Sequence, residues 1–375
     1  VAIPYGHQSI DDDDVAAVAT AVRGEWLTMG PTVAEFEAAI AGIAGVPEAV
    51  AVSSGTAALH CAYAAIGFDK GSVVVTTPLT FVATASTAIL SGATVEFADV
   101  QEDTGNIDPH AVNALITERT RAVAAVDYAG HPADFTALRE AVAGHDVVIL
   151  EDAAHSIAST YRERPVGSVA DITTFSFFPT KNLTTAEGGA IVSTRSELLE
   201  RARRFKSHGL VRDKHAQRYP DEGPWHQEVH ELGLNYRLPD VLAALGLSQL
   251  KRLHDFKDAR KKVFQRYAEG LGDLDGVRLP HQRAYVDPMW HLFPIRVSED
   301  RRRSVFEFLR EQGVLVQVNY IPAYWHPYFE DLGYKRGMCP VAEQYYKEEI
   351  SLPMFANLSA SDQDRVIELV RKALS

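Results

Sequence analysis

The sequence predicts an α/β protein whose mostly parallel central sheet is sandwiched by helices, followed by a smaller C-terminal α+β domain. Two observations carry this. From residue 48 to about 195 short β-rich runs alternate with Ala-rich helical stretches, the spacing of βαβ units. The runs are also nearly continuous in Val, Ile and Ala, as expected of strands buried on both faces. Length agrees: 375 residues suggest two domains at about 150 residues each, and 46% hydrophobic with 23% charged residues is ordinary globular composition. The boundary is expected near residue 255, dividing a large domain (1–255, with the N-terminal segment) from a small one (256–375).

Seven strands are predicted in order from EAVAVSS, SVVVTT, TVEFADV, RAVAAVDYA, DVVILEDAA, DITTFSFFP and AIVST. After residue 195 the pattern turns helical, with SELLERARRFKSH, a polar loop from Arg212 to Trp225, and a long run from Pro239 to Leu271 that could bridge two domains. WHLFPIRV and VLVQVNYI then read as strands around the helix RRRSVFEFLREQG. A final helix starts at Ser359 or Ser361, each followed three residues later by an Asp in a capping arrangement.

Charge and composition exclude several classes. Lys plus Arg total 37 against 50 Asp plus Glu, a balance of −13 that removes the broad positive field needed for non-specific nucleic-acid binding. No apolar run approaches the length of a membrane span, and the first residues lack the basic and apolar regions of a signal peptide, so a cytoplasmic protein is expected. Cys61 and Cys339 are too few and too far apart for a disulfide framework or a zinc site; no metal is expected.

Ligands of open α/β sheets collect beyond the C-terminal ends of strands, and three such places carry chemistry. In SSGTAAL, Ser53, Ser54, Gly55 and Thr56 follow a strand and open a helix, offering N–H groups and hydroxyls to a phosphate, or simply capping the helix. In VVILEDAAHS, Glu151 and Asp152 end a buried strand, where a carboxylate is costly unless it meets a cation or several donors. Asp152 either holds a protonated ring nitrogen or caps the next segment, with His155 close by. In ITTFSFFPTKNLTTAEGGAIVS, Lys181 lies between two apolar elements, where desolvation frees its amine for Schiff-base chemistry, and Ser176 could donate to a phosphate. A phosphate cradle, an Asp and a Lys beyond three strands of one sheet match the needs of pyridoxal phosphate.

These segments, with TTPLTFVATA and GLNYRLPDVLAALGLSQL, in this order, resemble the DegT/StrS family of sugar aminotransferases, of the fold-type I pyridoxal phosphate class. The resemblance spans nearly the whole chain. It implies that Lys181 is the Schiff-base lysine, that Asp152 partners the pyridine nitrogen, that Phe81 stacks on the ring and that His155 sits near the ring hydroxyl. Gly55, Thr56 and Ser176, beside Ser54, would bind phosphate. Asn235 would reach the phosphate of the neighbouring subunit, implying a homodimer with shared active sites.

Lysine at 181, where some members carry His and act as dehydratases, implies transamination. IPYGHQSID, WLTMGPTVAEFE, NIDP, VQVNYIPAYWHPYFEDLGY and AEQYYKEEISLP look most like UDP-4-keto-sugar 4-aminotransferases of pseudaminic-acid-type pathways. Phe178, where those enzymes usually have His, and Ala186, where they have Gly, depart from that pattern. The implied substrates are a nucleotide-linked 4-keto-6-deoxyhexose and L-glutamate. Arg212, Lys214 and Arg237 are candidates for the diphosphate, and Tyr5, Thr28, Tyr320 and His326 for the sugar nucleotide. Alternatives are another keto sugar or keto-cyclitol as acceptor, or a non-catalytic sensor that binds pyridoxal phosphate, although no DNA-binding domain or basic arm is appended. An NAD enzyme is disfavoured, because no G-x-G-x-x-G joins a first strand and helix.

Overall fold

The computed structural model describes residues 2–374. All seven expected strands form one sheet: β1 (Ala49–Val52), β2 (Val73–Thr76), β3 (Thr94–Phe97), β4 (Thr120–Val126), β5 (Val148–Asp152), β6 (Ile172–Ser176) and β7 (Gly189–Ser193). Their order is β1-β7-β6-β5-β4-β2-β3. β7 runs antiparallel to β1 and β6, and the remaining pairs are parallel.

Alternation along the strands explains the two helical layers. Val50 and Val52 pack with Ala58, Leu59 and Ala62 of the helix Gly55–Ile66, while Ala49 and Ala51 face Phe36 and Ile40 of the helix Pro31–Ala44. Helices cover both faces of the sheet, so apolar residues fill most of both.

A smaller antiparallel pair, β8 (Phe293–Arg296) with β9 (Glu349–Leu352), carries the C-terminal part. The N-terminal segment joins it: Ile3 donates to Gly313 O at 2.8 Å, and Leu315 N–H donates back to Ile3 O at 2.9 Å.

Three expectations about elements are corrected. The run 239–271 is two helices, Asp240–Leu250 and Leu253–Leu271, because Arg252 leaves helical geometry while its guanidinium holds Asp11 and Asp14. VLVQVNYI is not a continuous strand. Val314 and Gln317 make isolated bridges to Ile3 and Ser351, and at Asn319 the backbone N–H goes to the Glu349 carboxyl at 2.7 Å instead of a ladder. The last helix, Ala360–Leu374, begins after Ser359, whose Oγ accepts the Asp362 N–H at 3.0 Å, so Ser361 lies inside it. Among the described residues, no helix is long and apolar enough to cross a membrane.

Candidate active site

A cavity of about 420 Å³ opens beyond the C-terminal ends of β2, β4, β5 and β6. It is lined by ten of the residues singled out from the sequence: Tyr5, Ser54, Gly55, Thr56, Phe81, Asp152, His155, Ser176, Lys181 and Tyr320. These come from six separate segments of the chain, and the sheet is what brings them together.

One wall is the start of the helix Gly55–Ile66. Ser54 caps it, its side chain accepting the Ala57 N–H at 3.0 Å and its carbonyl the Ala58 N–H. The N–H groups of Gly55 and Thr56 are thereby left for a ligand at the positive end of the helix. Glycine is required at 55, because a Cβ there would lie 2.7 Å from Ser176 Cβ and 2.8 Å from Ser176 Oγ. Two backbone N–H groups and the hydroxyls of Thr56 and Ser176 form a cradle of phosphate size and donor chemistry.

Asp152 ends β5 and is buried. Its Oδ2 accepts the Thr84 hydroxyl at 2.7 Å, and its Oδ1 accepts the Ala154 N–H at 3.2 Å. Burial raises its pKa and the Thr84 bond opposes the rise, so the carboxylate would gain from a cationic N–H partner. Thr84 is itself held by Thr80 at 2.7 Å.

Lys181 follows β6 in a loop closed by backbone bonds from Phe177 N–H to Gly188 O and from Thr185 N–H to Phe177 O. Desolvation pushes its ammonium down to about 8, and the Asp152 charge pulls the other way. Phe81, 61% exposed, and Phe178, 45% exposed, present aromatic faces at the cavity.

A second cluster faces these groups. His155 Nε2 lies 3.1 Å from the Tyr320 hydroxyl, and its ring is 4.4 Å from that of His291. Desolvation lowers both pKa values well below the usual histidine range, so both imidazoles are neutral. The Nδ1 atoms of both are buried without a partner in the protein.

Thr84, His291 and Asn319 also line the site and escaped the sequence reading. Thr84 lies inside the quoted TFVATA and carries a signal only once a carboxylate opposite is known. His291 sits in a segment read as a plain strand, and Asn319 in another.

The remaining candidates lie outside this chain's cavity. Asn235 is exposed and pairs with Ser207, Arg237 bridges Val52, and Thr28 is exposed beside Pro239. Arg212 and Lys214 are on the exposed loop after residue 211, and His326 precedes the short helix Pro327–Asp331.

The residues fit pyridoxal phosphate. The cradle suits its phosphate, Phe81 its ring face, Asp152 its ring nitrogen, and the Lys181 amine its carbonyl carbon.

Comparison with known proteins agrees. The model of the DegT/DnrJ/EryC1/StrS aminotransferase family matches residues 8–371. The spore coat polysaccharide biosynthesis protein SpsC of Bacillus subtilis is 38% identical, over 98% of this chain and 96% of its own. The UDP-4-amino-4,6-dideoxy-N-acetyl-beta-L-altrosamine transaminase of Campylobacter jejuni (serotype O:23/36) is 36% identical, over 96% and 94%. Among solved structures, Helicobacter pylori PseC, an aminotransferase involved in the biosynthesis of pseudoaminic acid, superposes with a TM-score of 0.93 at 33% identity, covering 100% of this chain and 99% of that one. Spr1654 of Streptococcus pneumoniae in its PLP-form gives a TM-score of 0.92 at 28% identity, with 100% of both chains covered. With fold, cavity and relatives in agreement, the chain belongs to the DegT/DnrJ/EryC1/StrS aminotransferase family and is a pyridoxal-phosphate-dependent sugar aminotransferase.

Proposed function

We propose that the enzyme moves the amino group of L-glutamate to a nucleotide-linked 4-keto-6-deoxyhexose, giving a 4-amino sugar and 2-oxoglutarate. The observation that carries this is the cavity, which joins a Schiff-base lysine to a wall of neutral hydroxyl, amide and imidazole groups. The relatives named for a UDP-4-amino sugar support the ketone position.

When bound, pyridoxal phosphate supplies an electrophilic carbon and a ring that takes up negative charge. The neutral Lys181 amine would hold that carbon, while the Gly55 and Thr56 N–H groups and the Ser176 hydroxyl would hold the phosphate. Lys181 Nζ takes the proton from the donor α-carbon and returns one in the reverse sense on the sugar. Asp152, held by Thr84 and Ala154, keeps a proton on the ring nitrogen.

A homodimer completes the site in this reading. Asn235 and the Trp26–Gly30 segment have no role in their own chain's cavity, while Trp26, Leu27, Met29, Trp225 and Leu232 are between 51% and 90% exposed. That much exposed apolar surface suits a partner copy. In such a dimer Arg212, Lys214 and Arg237 would serve the diphosphate.

A panel of acceptors tests the substrate. Purified enzyme with L-glutamate is offered 4-keto and 3-keto sugar nucleotides and a keto-cyclitol, and the position of the new amine is read by mass spectrometry and NMR. The 4-keto compound is expected to react fastest. Preference for another ketone would overturn the assignment.

A further inference from the structure

The roles assigned to Asp152 and His155 leave their neighbour Glu151 unused, although it is a carboxyl sealed under the same strand end. Glu151 on β5 and Asp127, just after β4, are both fully buried. Glu151 Oε2 accepts the Gly167 N–H at 3.0 Å and the Thr173 hydroxyl at 2.7 Å, while its buried Oε1 meets no N–H or O–H of the described residues. Asp127 Oδ1 accepts the Ala133 N–H at 3.0 Å, and its Oδ2 accepts the Ser156 hydroxyl at 2.5 Å. The two carboxyls are also hydrogen-bonded to each other.

That last contact needs a hydrogen. Ionised carboxylates only accept, so a bond between two of them requires one proton, and Oε1 is the Glu151 oxygen left for it. The charges that face the pair do not neutralise it. Asp152, at the end of β5, adds a like charge to Asp127, with Lys181 beyond it acting on Asp152. Arg164, on the exposed two-residue strand Arg164–Pro165, attracts Glu151 but gives a guanidinium N–H to the Ser168 carbonyl. Burial raises the pKa of both carboxyls, and the Glu151 charge raises that of Asp127 further. The retained proton therefore belongs to the pair.

The pair lies where the site is held. The Asp127 backbone N–H donates to the Asp152 carbonyl at 3.1 Å, and the Asp127 side chain holds Ser156. Between those contacts the segment closes on itself, with the Ser156 N–H on the Ala153 carbonyl at 3.1 Å and the Ala154 N–H on Asp152 Oδ1 at 3.2 Å. Asp127 thus ties down both ends of the short turn that brings Asp152 and His155 to the cavity.

We propose that Asp127 and Glu151 share one proton, and that Asp127, kept in place by it, is the positioning residue for the Asp152–Ser156 turn that faces the cofactor. The proposal rests on the assignment of Asp152 and His155 to pyridoxal phosphate and adds what holds them there.

Two measurements test it, and the first needs no cofactor. Melting curves of the apoprotein are recorded between about pH 5 and pH 9 for wild type and Glu151→Gln. Above the ordinary carboxyl range, about 4.3 for Glu, both groups are ionised in the unfolded chain, whereas the folded pair keeps a proton. Wild-type stability therefore falls as pH rises, until the pair releases that proton. Glutamine places a permanent N–H at the Oε1 position and keeps an acceptor for Gly167 and Thr173, so the variant is expected to gain on wild type as pH rises. A difference that stays constant across the range would overturn the shared proton.

The second measurement uses pyridoxal phosphate. Its dissociation constant and the pH midpoint of its absorbance when bound are compared for wild type, Asp127→Ala, Ser156→Ala and the double variant. Each single change is expected to weaken binding roughly tenfold and to move the midpoint, as for loss of one hydrogen bond to a charged group. The double variant is expected to be no worse than Asp127→Ala, because the two residues act through one bond. Losses that multiply, or a wild-type affinity and midpoint in Asp127→Ala, would overturn the positioning role. Should Asp127→Ala lose its folded transition, Ser156→Ala decides alone, with the same two readouts and the same expected direction. If the wild type takes up no pyridoxal phosphate, the cofactor assignment falls and takes the positioning role with it, an outcome that the apoprotein melting curves keep apart from failure of the proton pair.

Discussion

Opposed forces set the state of Lys181. Desolvation favours its neutral amine and Asp152 favours its ammonium, with the balance at about 8. Only the neutral amine can attack a carbonyl, so capture of pyridoxal phosphate by the apoprotein is expected to speed up about tenfold per pH unit below that value and level off above it. Stopped-flow absorbance measures this. Asp152→Asn removes the anion that raises the lysine pKa and should move the midpoint to lower pH; an unmoved midpoint would show that the two side chains do not interact. The same substitution should cost at least ~10²-fold in turnover, because a neutral partner no longer keeps the ring nitrogen protonated. In Lys181→Ala, borohydride treatment should leave no cofactor mass on the chain while the melting transition persists; a retained adduct would mean that another lysine is the attachment point. The placement of Lys181, Asp152 and Gly55 at one site was legible in the sequence because each lies at the end of an apolar strand or within five residues beyond it, where local order fixes position. Asn319 was not: its partners Tyr5 and Ser351 are 314 and 32 residues away, and only the folded chain sets them side by side.

At the level of elements, the loop between β6 and β7 carries the lysine and one strained residue. Ala186 has φ +66°, in the left-handed region that favours glycine, and its N–H donates to Thr184 Oγ1 at 3.0 Å. A left-handed non-glycine residue costs ~1–2 kcal/mol, and glycine returns ~0.5–1 kcal/mol of that through unfolded-chain entropy. Ala186→Gly is therefore expected to raise the urea midpoint by ~0.5 kcal/mol of stability; a lower midpoint would contradict the strain. The departure from the family pattern at 186 was visible in the sequence, but its backbone consequence was not. Strand periodicity made the central sheet legible, since seven apolar runs became seven strands. It failed at 314–321, where an equally apolar run gives up its ladder so that Asn319 can bond to Glu349. It also failed at Arg252, where paired charges from the N-terminal helix interrupt a continuous helical pattern.

For the whole molecule, the sheet delivers chemistry to one end, and the homodimer proposed above would cover exposed apolar residues such as Trp26 and Leu232. Sharing of sites is testable by mixing a Lys181→Ala chain with an Asn235→Ala chain, once tag pull-down has shown that subunits exchange. If Asn235 serves the partner, one site of the mixed dimer carries both defects and the other neither, so activity reappears; no recovery after proven exchange would leave each chain with its own site. The central claim, that amino nitrogen passes from an amino acid to a sugar ketone with Lys181 as the residue that moves the proton, has a more direct test. Nitrogen-15-labelled L-glutamate, a nucleotide-linked 4-keto-6-deoxyhexose and the holoenzyme are combined, and the sugar nucleotide is analysed by mass spectrometry and nitrogen-15 NMR. The account predicts one labelled amine at the former ketone carbon, matched by one equivalent of 2-oxoglutarate and absent with Lys181→Ala. An unlabelled sugar recovered with its ketone intact, or labelling that persists in Lys181→Ala, would contradict it.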